Sequence, residues 1–312
     1  MGPAPSVEPL GDLAEACAPL LGRCRFPEPG TKVTCAVSGG ADSLALLALA
    51  VAAGCRPDAV HVDHGLRPGS AAEADVVAAA ARRFGATFRT ERVHVAPGGN
   101  LEARARAARH AVLPDDALYG HTADDQAETV VLNLLRGAGV DGLAGIRADP
   151  RHPILALRRH ETRSLCERLG LEPVHDPSND DPRHRRNRVR QEVLPLLDDV
   201  AGRDLVPVLG RQAELLREVA DLLAAQTDLI DPTDSRLLAA APPALARVAL
   251  RRWLRSCDPE GHPPDAATVD RVLAVVRGVA VATDVGGGWR VARTAGRLRL
   301  EPPGVGHGGR AH

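Results

Sequence analysis

A chain of 312 residues has room for one large and one smaller domain, each with a sizeable core. Its 39 basic and 40 acidic side chains leave a net charge of −1, which excludes a global electropositive field and confines any nucleic-acid contact to a local patch. Six cysteines without a C-x-x-C pair exclude a cysteine-held cluster or a disulfide framework, and the lack of a long uncharged apolar stretch or signal-peptide core predicts a soluble cytoplasmic protein with no membrane contact.

In chain order, a Pro-rich tail is followed by a helix over residues 10–21, ended by Gly22. Residues 32–37 read as a buried strand and residues 42–53, almost all Leu, Ala and Val, as a helix. Between them the backbone has to turn at the glycines of Ser38-Gly39-Gly40-Ala41-Asp42-Ser43 and expose the amides of a helix start. Unpaired N–H groups and the helix dipole favour a phosphate there, and Ser38 and Ser43 add hydroxyl donors. Asp42 would repel a polyphosphate unless a Mg²⁺ ion lies between them. The alternative is an ordinary Gly-rich turn capped by Asp42 and Ser43. The loop has neither the Gly-Lys-Ser/Thr ending of a P-loop nor G-x-G-x-x-G, and Lys32, the only lysine, precedes the strand, which argues against AMP carried on an active-site lysine.

Residues 59–62 read as a second strand, residues 71–84 as a helix and residues 87–95 as a third strand; this alternation predicts right-handed crossovers and a parallel sheet with ligands at the strand carboxyl ends. Asp63 and His64 lie at one such end. A zinc reading of His61 and His64 lacks further ligands at metal spacing, leaving a nucleotide-facing loop or a simple strand cap. After an Asn100 cap, Glu102, Arg106 and Arg109 share one helical face, which suits a solvated ion-pair surface as well as a binding one. A short fourth strand is expected over residues 117–120, and Thr122 caps the next helix. Asp125 and Glu128 lie on one face of that helix, either as partners of its dipole or as a clamp for an ammonium group and a general base. Residues 147–190 carry 11 arginines against 7 acids. A turn-rich loop at residues 176–181 precedes a helix from Arg183 to Leu197, on which Arg186 and Arg190 share a face with Asn187 between them. That excess fits a solvated surface or a polyphosphate or RNA backbone.

Beyond Gly202 the character changes to helical runs at residues 205–223, 243–257 and 266–276, then short strands at residues 281–284, 289–293 and 297–300 around Gly-rich turns. Residues 303–312 read as a disordered Gly/His tail. The domain reading is 1–200 for a nucleotide-binding domain, 203–302 for a helical substrate domain and 303–312 for the tail.

The motifs S-G-G-A-D-S at 38–43, H-V-D-H-G-L-R at 61–67, G-H-T-A-D-D-Q-A-E-T at 120–129, R-G-A-G at 136–139 and D-P-S-N-D-D with R-N-R-V-R over 176–190 resemble, in order and spacing, the tRNA(Ile)-lysidine synthetase family of N-type ATP pyrophosphatases. The resemblance spans nearly the whole chain and implies an α/β fold, a parallel-sheet PP-loop domain (adenine nucleotide alpha hydrolase-like) followed by a smaller, mainly helical domain with a β-hairpin region, without the extra C-terminal domain of longer relatives. It implies ATP-dependent adenylation of the wobble cytidine O2 of a CAU-anticodon tRNA(Ile), release of pyrophosphate, and attack of free lysine at C2 with AMP leaving. Ser38, Gly39, Gly40, Ala41, Asp42 and Ser43 would hold ATP, with Mg²⁺ on Asp42, and Asp63 and His64 would line the adenosine. Asp125 and Glu128 would bind the lysine ammonium and one would accept its proton; Arg136 would join them in catalysis and, with Arg188 and Arg190, contact pyrophosphate or tRNA phosphate. Arg109, Asn179, Asn187, Arg188 and Arg190 would meet substrate or tRNA phosphate. A homodimer is a possible assembly. His110 departs from the tyrosine frequent after Arg109 in the family, which puts a local stacking or packing contact in doubt. A tRNA cytidine thiolase shares the first motif but uses cysteine pairs, and a non-catalytic nucleotide- or RNA-binding relative would not need acids beside phosphates.

Overall fold

Short apolar runs alternating with helix-length segments produce an α/β fold in the first part of the chain. The computed structural model describes residues 10–63, 65, 70–94, 101–174, 180–258 and 264–302. Its elements begin with α1 (Leu10–Leu21), β1 (Lys32–Ala36), α2 (Ala41–Ala52), β2 (Arg56–Asp63), α3 (Ser70–Arg83), β3 (Thr87–Arg92), α4 (Leu101–Val112) and α5 (Ala123–Leu135). The strands form a parallel sheet in the order β1-β2-β3, with Cys35 opposite Ala59 and Ala59 opposite Phe88. Because all three strands run the same way, their carboxyl ends gather along one edge, where the crossover turns leave room for a ligand.

The core explains why α2 lies where it does. Its residues Ser43 to Ala50 are buried without a break, so it is an interior helix, apolar on every side. Leu44, Leu46, Leu47 and Leu49 are fully enclosed among α1, α3, Ile154, Leu157 and Leu165. Each such leucine stabilises the fold by roughly 1.5–3 kcal/mol. Val60 faces the other way, onto Leu113, Ala117 and Tyr119, so the sheet is covered on both sides.

The expected fourth strand shrinks to one parallel bridge, Cys35 to Leu118, made by Leu118 N donating to the Thr34 carbonyl at 2.7 Å and Ala36 N to the Leu118 carbonyl at 2.9 Å. Pairing stops there because the next amide, Tyr119 N, turns away to the Arg151 carbonyl at 2.7 Å.

The chain continues through α6 (Val140–Leu143), α7 (Arg159–Arg168) and α8 (Arg185–Arg188), which passes through a π-helical turn at Val189–Val193 into α9 (Leu194–Ala201). The helix expected from Arg183 to Leu197 therefore starts later, ends later and is widened in the middle. Pro195 is a physical reason for the widening: it has no N–H for the Gln191 carbonyl, which a regular α-turn would require. α5, the π turn and α9 pack through Ala127, Val131, Val189 and Leu194.

Two compact units divide between Leu215 and Leu216, within α10 (Val206–Thr227) and later in the chain than the expected change at residues 200–203. The second unit contains α11 (Ser235–Ala240), α12 (Pro243–Cys257), α13 (Ala266–Val276) and an antiparallel sheet of β4 (Ala282–Gly286), β5 (Trp289–Thr294) and β6 (Arg297–Glu301). Leu250, Val272, Leu273, Val291 and Leu298 form its core. The β4–β5 turn uses positive φ at Gly286, Gly287 and Gly288, a run that side chains would strain. Among the described residues no helix is long and apolar enough to cross a membrane. His64, Asn179, Asn100 and the tail at 303–312, all given a reading from the sequence, lie outside the described residues.

Candidate active site

The loop after β1 is shaped by its own side chains. Gly39 has φ +84°, and a β-carbon there would also stand 3.5 Å from Val174 Cγ2 and 3.6 Å from the Glu73 carbonyl oxygen. Gly40 is extended and forms the N-cap of α2, leaving the first amides of the helix facing the loop. Ser43 Oγ donates to the Gly40 carbonyl at 2.8 Å and accepts from Ser38 N at 3.1 Å. Its only proton is thereby spent inside the loop, so Ser43, expected to donate to phosphate, instead holds the turn. The Ser38 hydroxyl lies 3.3 Å from Ser43 Oγ at the loop's entrance.

Backbone contact brings the second motif to the first. A β-carbon on Gly120 would lie 2.7 Å from the Asp42 carbonyl oxygen, so only glycine permits this approach. Two residues later Thr122 starts α5, its N–H and hydroxyl both donating to Asp125 Oδ2 at 2.9 and 3.0 Å. Asp124 fixes the start of α7 by accepting from Arg159 N at 2.7 Å and Arg158 Nε at 3.1 Å. Arg158 also pairs with Asp204.

With the helix starts tied together, the Arg159 guanidinium falls among three carboxylates and gives each a different nitrogen. Nη1 donates to Glu128 Oε1 at 2.8 Å, Nη2 to Asp125 Oδ1 at 3.0 Å, and Nε faces Asp42 Oδ2 at 3.6 Å. One turn along α7, the buried Thr162 hydroxyl donates to Asp42 Oδ1. Glu128, fully enclosed, also takes Arg186 Nε on Oε2 at 2.7 Å, Arg190 Nε on Oε1 at 2.7 Å and Arg190 Nη2 on Oε2 at 3.2 Å. Arg186 reaches on to Asp125 Oδ1 at 3.6 Å. Three acids and three arginines balance.

Burial would raise the Glu128 pKa, but the Arg190 hydrogen bonds and the charges of Arg159, Arg186 and Arg190 outweigh it and hold the group at about 2. Asp42 goes the other way. Burial and the neighbouring Asp125 charge lift it above the usual carboxylate range, opposed by Thr162 and Arg159. Arg159 loses to desolvation but gains more from Asp125, Glu128 and Asp42, so its cation is held firmly.

Not every residue singled out in the sequence reaches this cluster. Glu128, expected to take an ammonium or a proton, sits at its centre with both oxygens filled by guanidiniums, which hold its carboxyl well below the usual range. Arg136 is the exposed C-cap of α5, eight residues beyond Glu128 and therefore about 12 Å along the axis. Arg188 is exposed and paired with Glu192 at 2.8 Å, away from Glu128. Asn187 is buried and donates to the Asp181 carbonyl at 2.9 Å, anchoring the loop ahead of α8. Asp63, at the end of β2, accepts from Gly65 N at 2.8 Å. Arg109 is half-buried in the last turn of α4. Arg190 is in the cluster. His110 Nδ1 lies 3.1 Å from the Tyr119 hydroxyl with the two rings tilted at 56°, and His121 stacks on His152 at 4.9 Å beside that pair.

Arg159 and Thr162 were missed. A signal existed in Arg158-Arg159, because two cations at a helix start oppose the dipole unless acids meet them there. A cavity of about 690 Å³ lined by Lys32, Arg56, Asp58 and Phe84 opens at the amino ends of the strands, the opposite end from this cluster.

Residues 14–197 match the model of a PP-loop domain and residues 235–299 that of a TilS substrate binding domain. Over 297 residues the chain is 44% identical to a tRNA(Ile)-lysidine synthase of Nocardia farcinica, covering 88% of this chain and 93% of that one. The corresponding proteins of Mycolicibacterium paratuberculosis and Salinispora tropica are 46% and 41% identical, covering 70% and 90% of this chain and 73% and 93% of theirs. Among solved structures it is similar to a U34-tRNA thiolase from Methanococcus maripaludis, with a TM-score of 0.49 and 20% identity over 67% of this chain and 80% of that one.

Proposed function

The chain belongs to the tRNA(Ile)-lysidine synthase family, and from that premise we propose how its own residues divide the ligation of lysine to the wobble cytidine of tRNA(Ile). The enzyme uses ATP to modify tRNA. In the first step the cytidine O2 attacks the α-phosphorus and pyrophosphate leaves. In the second, the lysine amine attacks C2, loses a proton, and AMP departs with the oxygen.

The observation that carries this reading is the convergence of Asp42 from the glycine loop with Asp125 and Glu128 from α5 on one guanidinium. Phosphate-side and amine-side groups thereby share one edge of the sheet. Amides and the Ser38 hydroxyl bind the phosphates, and Asp63 borders the adenosine. Asp125 receives the amine and accepts its proton, since an amine must be neutral to attack. Glu128 holds Arg186 and Arg190 where pyrophosphate develops charge. The exposed Arg136 and Arg188 are left for tRNA phosphates.

Asp42 fits a Mg²⁺ site because its partly desolvated carboxylate has only the 3.6 Å Arg159 contact on Oδ2, and this ion takes one or two carboxylates together with substrate phosphates. When bound, Mg²⁺ would neutralise charge on the leaving pyrophosphate. Residues 1–200 act as the catalytic domain and 203–302 as the tRNA-binding domain, in a cytoplasmic enzyme. A homodimer is the assembly proposed, and exposed Leu134, Leu135, Leu196 and Val200 are available to its interface.

The six cysteines include no C-x-x-C pair that could carry sulfur or a cluster, which favours ligation over sulfur transfer. Incubation with ATP, Mg²⁺, labelled lysine and unmodified tRNA(Ile) tests the reading. AMP and a lysine-dependent mass gain on the tRNA are expected; neither product, or sulfur incorporation instead, overturns it.

A further inference from the structure

The balance of three acids against three arginines has a consequence for substrate order. An ammonium arriving at Asp125 finds neither of its oxygens free: Oδ1 holds Arg159 at 3.0 Å and Oδ2 is taken by Thr122 N and Oγ1 at 2.9 and 3.0 Å. It would also add uncompensated charge in a poorly hydrated place. One arginine has to leave first.

The three arginines are not equivalent in this respect. Arg186 and Arg190 each hold Glu128 at 2.7 Å, and Glu128 keeps both if Arg159 withdraws. Arg159 alone touches the phosphate loop, through Asp42, and among the described residues it is Asp42's only ion-pair partner. A polyphosphate seated on the loop brings several negative charges next to that guanidinium, whose planar fork suits phosphate oxygens as well as carboxylates. The neighbouring charges do not supply a substitute: Arg158 is held by Asp124 and Asp204.

We propose that Arg159 couples the two substrates, its guanidinium occupying Asp125 in the nucleotide-free enzyme and moving to the phosphates when ATP binds, so that Asp125 opens to the lysine ammonium only then. Arg159 is on this view a positioning residue that orders binding, nucleotide before amino acid. The inference rests on the assignment of Asp125 to the amine, and it adds a coupling that this assignment does not require.

Calorimetric titration of L-lysine into the full-length protein, with and without an ATP analogue carrying a methylene between the α and β phosphates, reads the coupling without turnover. Lysine is expected to bind about tenfold or more tightly with the analogue, and the analogue by the same factor with lysine. Arg159→Gln is expected to bind lysine without nucleotide as well as the analogue-loaded wild type does, and to lose the coupling. Arg159→Lys, with a charge that cannot serve three carboxylates at once, should show reduced coupling. Equal lysine affinity in wild type with and without the analogue overturns the exchange; if Asp125→Asn still abolishes that binding, the assignment of Asp125 survives. Lysine binding unaffected by Asp125→Asn, or absent in both nucleotide states, removes the assignment and the exchange together.

Discussion

Asp42 and Glu128 are both carboxylates in one cluster, and their surroundings separate their roles. Asp42 keeps a carboxylate oxygen with only a distant cation and a raised pKa, the condition of a group awaiting a positive partner. Asp42→Asn is expected to lower pyrophosphate release at least about 100-fold while leaving tRNA binding intact, checked by a release assay beside a filter-binding titration. Glu128 is structural in the electrostatic sense. Replacing it with Gln leaves Arg159, Arg186 and Arg190 without their shared anion, and breaking a buried pair of this kind costs about 3–5 kcal/mol. The pH dependence has a definite sign. Its folded pKa of about 2 lies below the ordinary 4.5, so the ionised group contributes stability that is complete above the ordinary value and lost as pH falls through about 2. Urea melts of wild type and Glu128→Gln should therefore differ most near neutrality, draw closer below about pH 4.5 and converge only near pH 2. The motif spacing made Asp125 and Glu128 legible as a pair, but which of them would be filled by arginines depended on residues 31 and 62 positions away.

Among the elements, α5 and α7 matter through their first turns. Thr122 and Asp125 start one helix, Asp124 anchors the start of the other, and Gly120 lets the incoming segment lie against the first turn of α2. Gly120→Ala should shift that turn, because its β-carbon would meet backbone that cannot rotate away. A loss of thermal stability together with a higher KM for ATP is the expected outcome, measured by calorimetry and by initial rates at saturating tRNA. Helices were readable from their leucines and caps, and strands from their apolar runs. The exceptions have local causes: the strand at residues 117–120 lost its pairing when Tyr119 turned to Arg151, and the helix through Pro195 opened into a π turn.

Over the whole molecule, two separate cores imply two separable tasks. A fragment ending at Asp231 is expected to bind the ATP analogue with the affinity of the full chain and to incorporate no lysine into tRNA. Calorimetry and mass measurement of the tRNA check the two halves of that statement. The sequence by itself determined the α/β class, the parallel sense of the strands, the glycine loop and the pairing of motif acids, because these follow from residue periodicity and from turns only glycine can make. Tertiary structure alone decided that Arg159 and Thr162 belong with Asp42, that Ser43 closes the loop on itself, and that Glu128 is shared by three arginines. The physical reason is distance along the chain. Periodicity reports which face of an element is buried, whereas a charge network is set by where separate elements come to rest, and no local pattern encodes that.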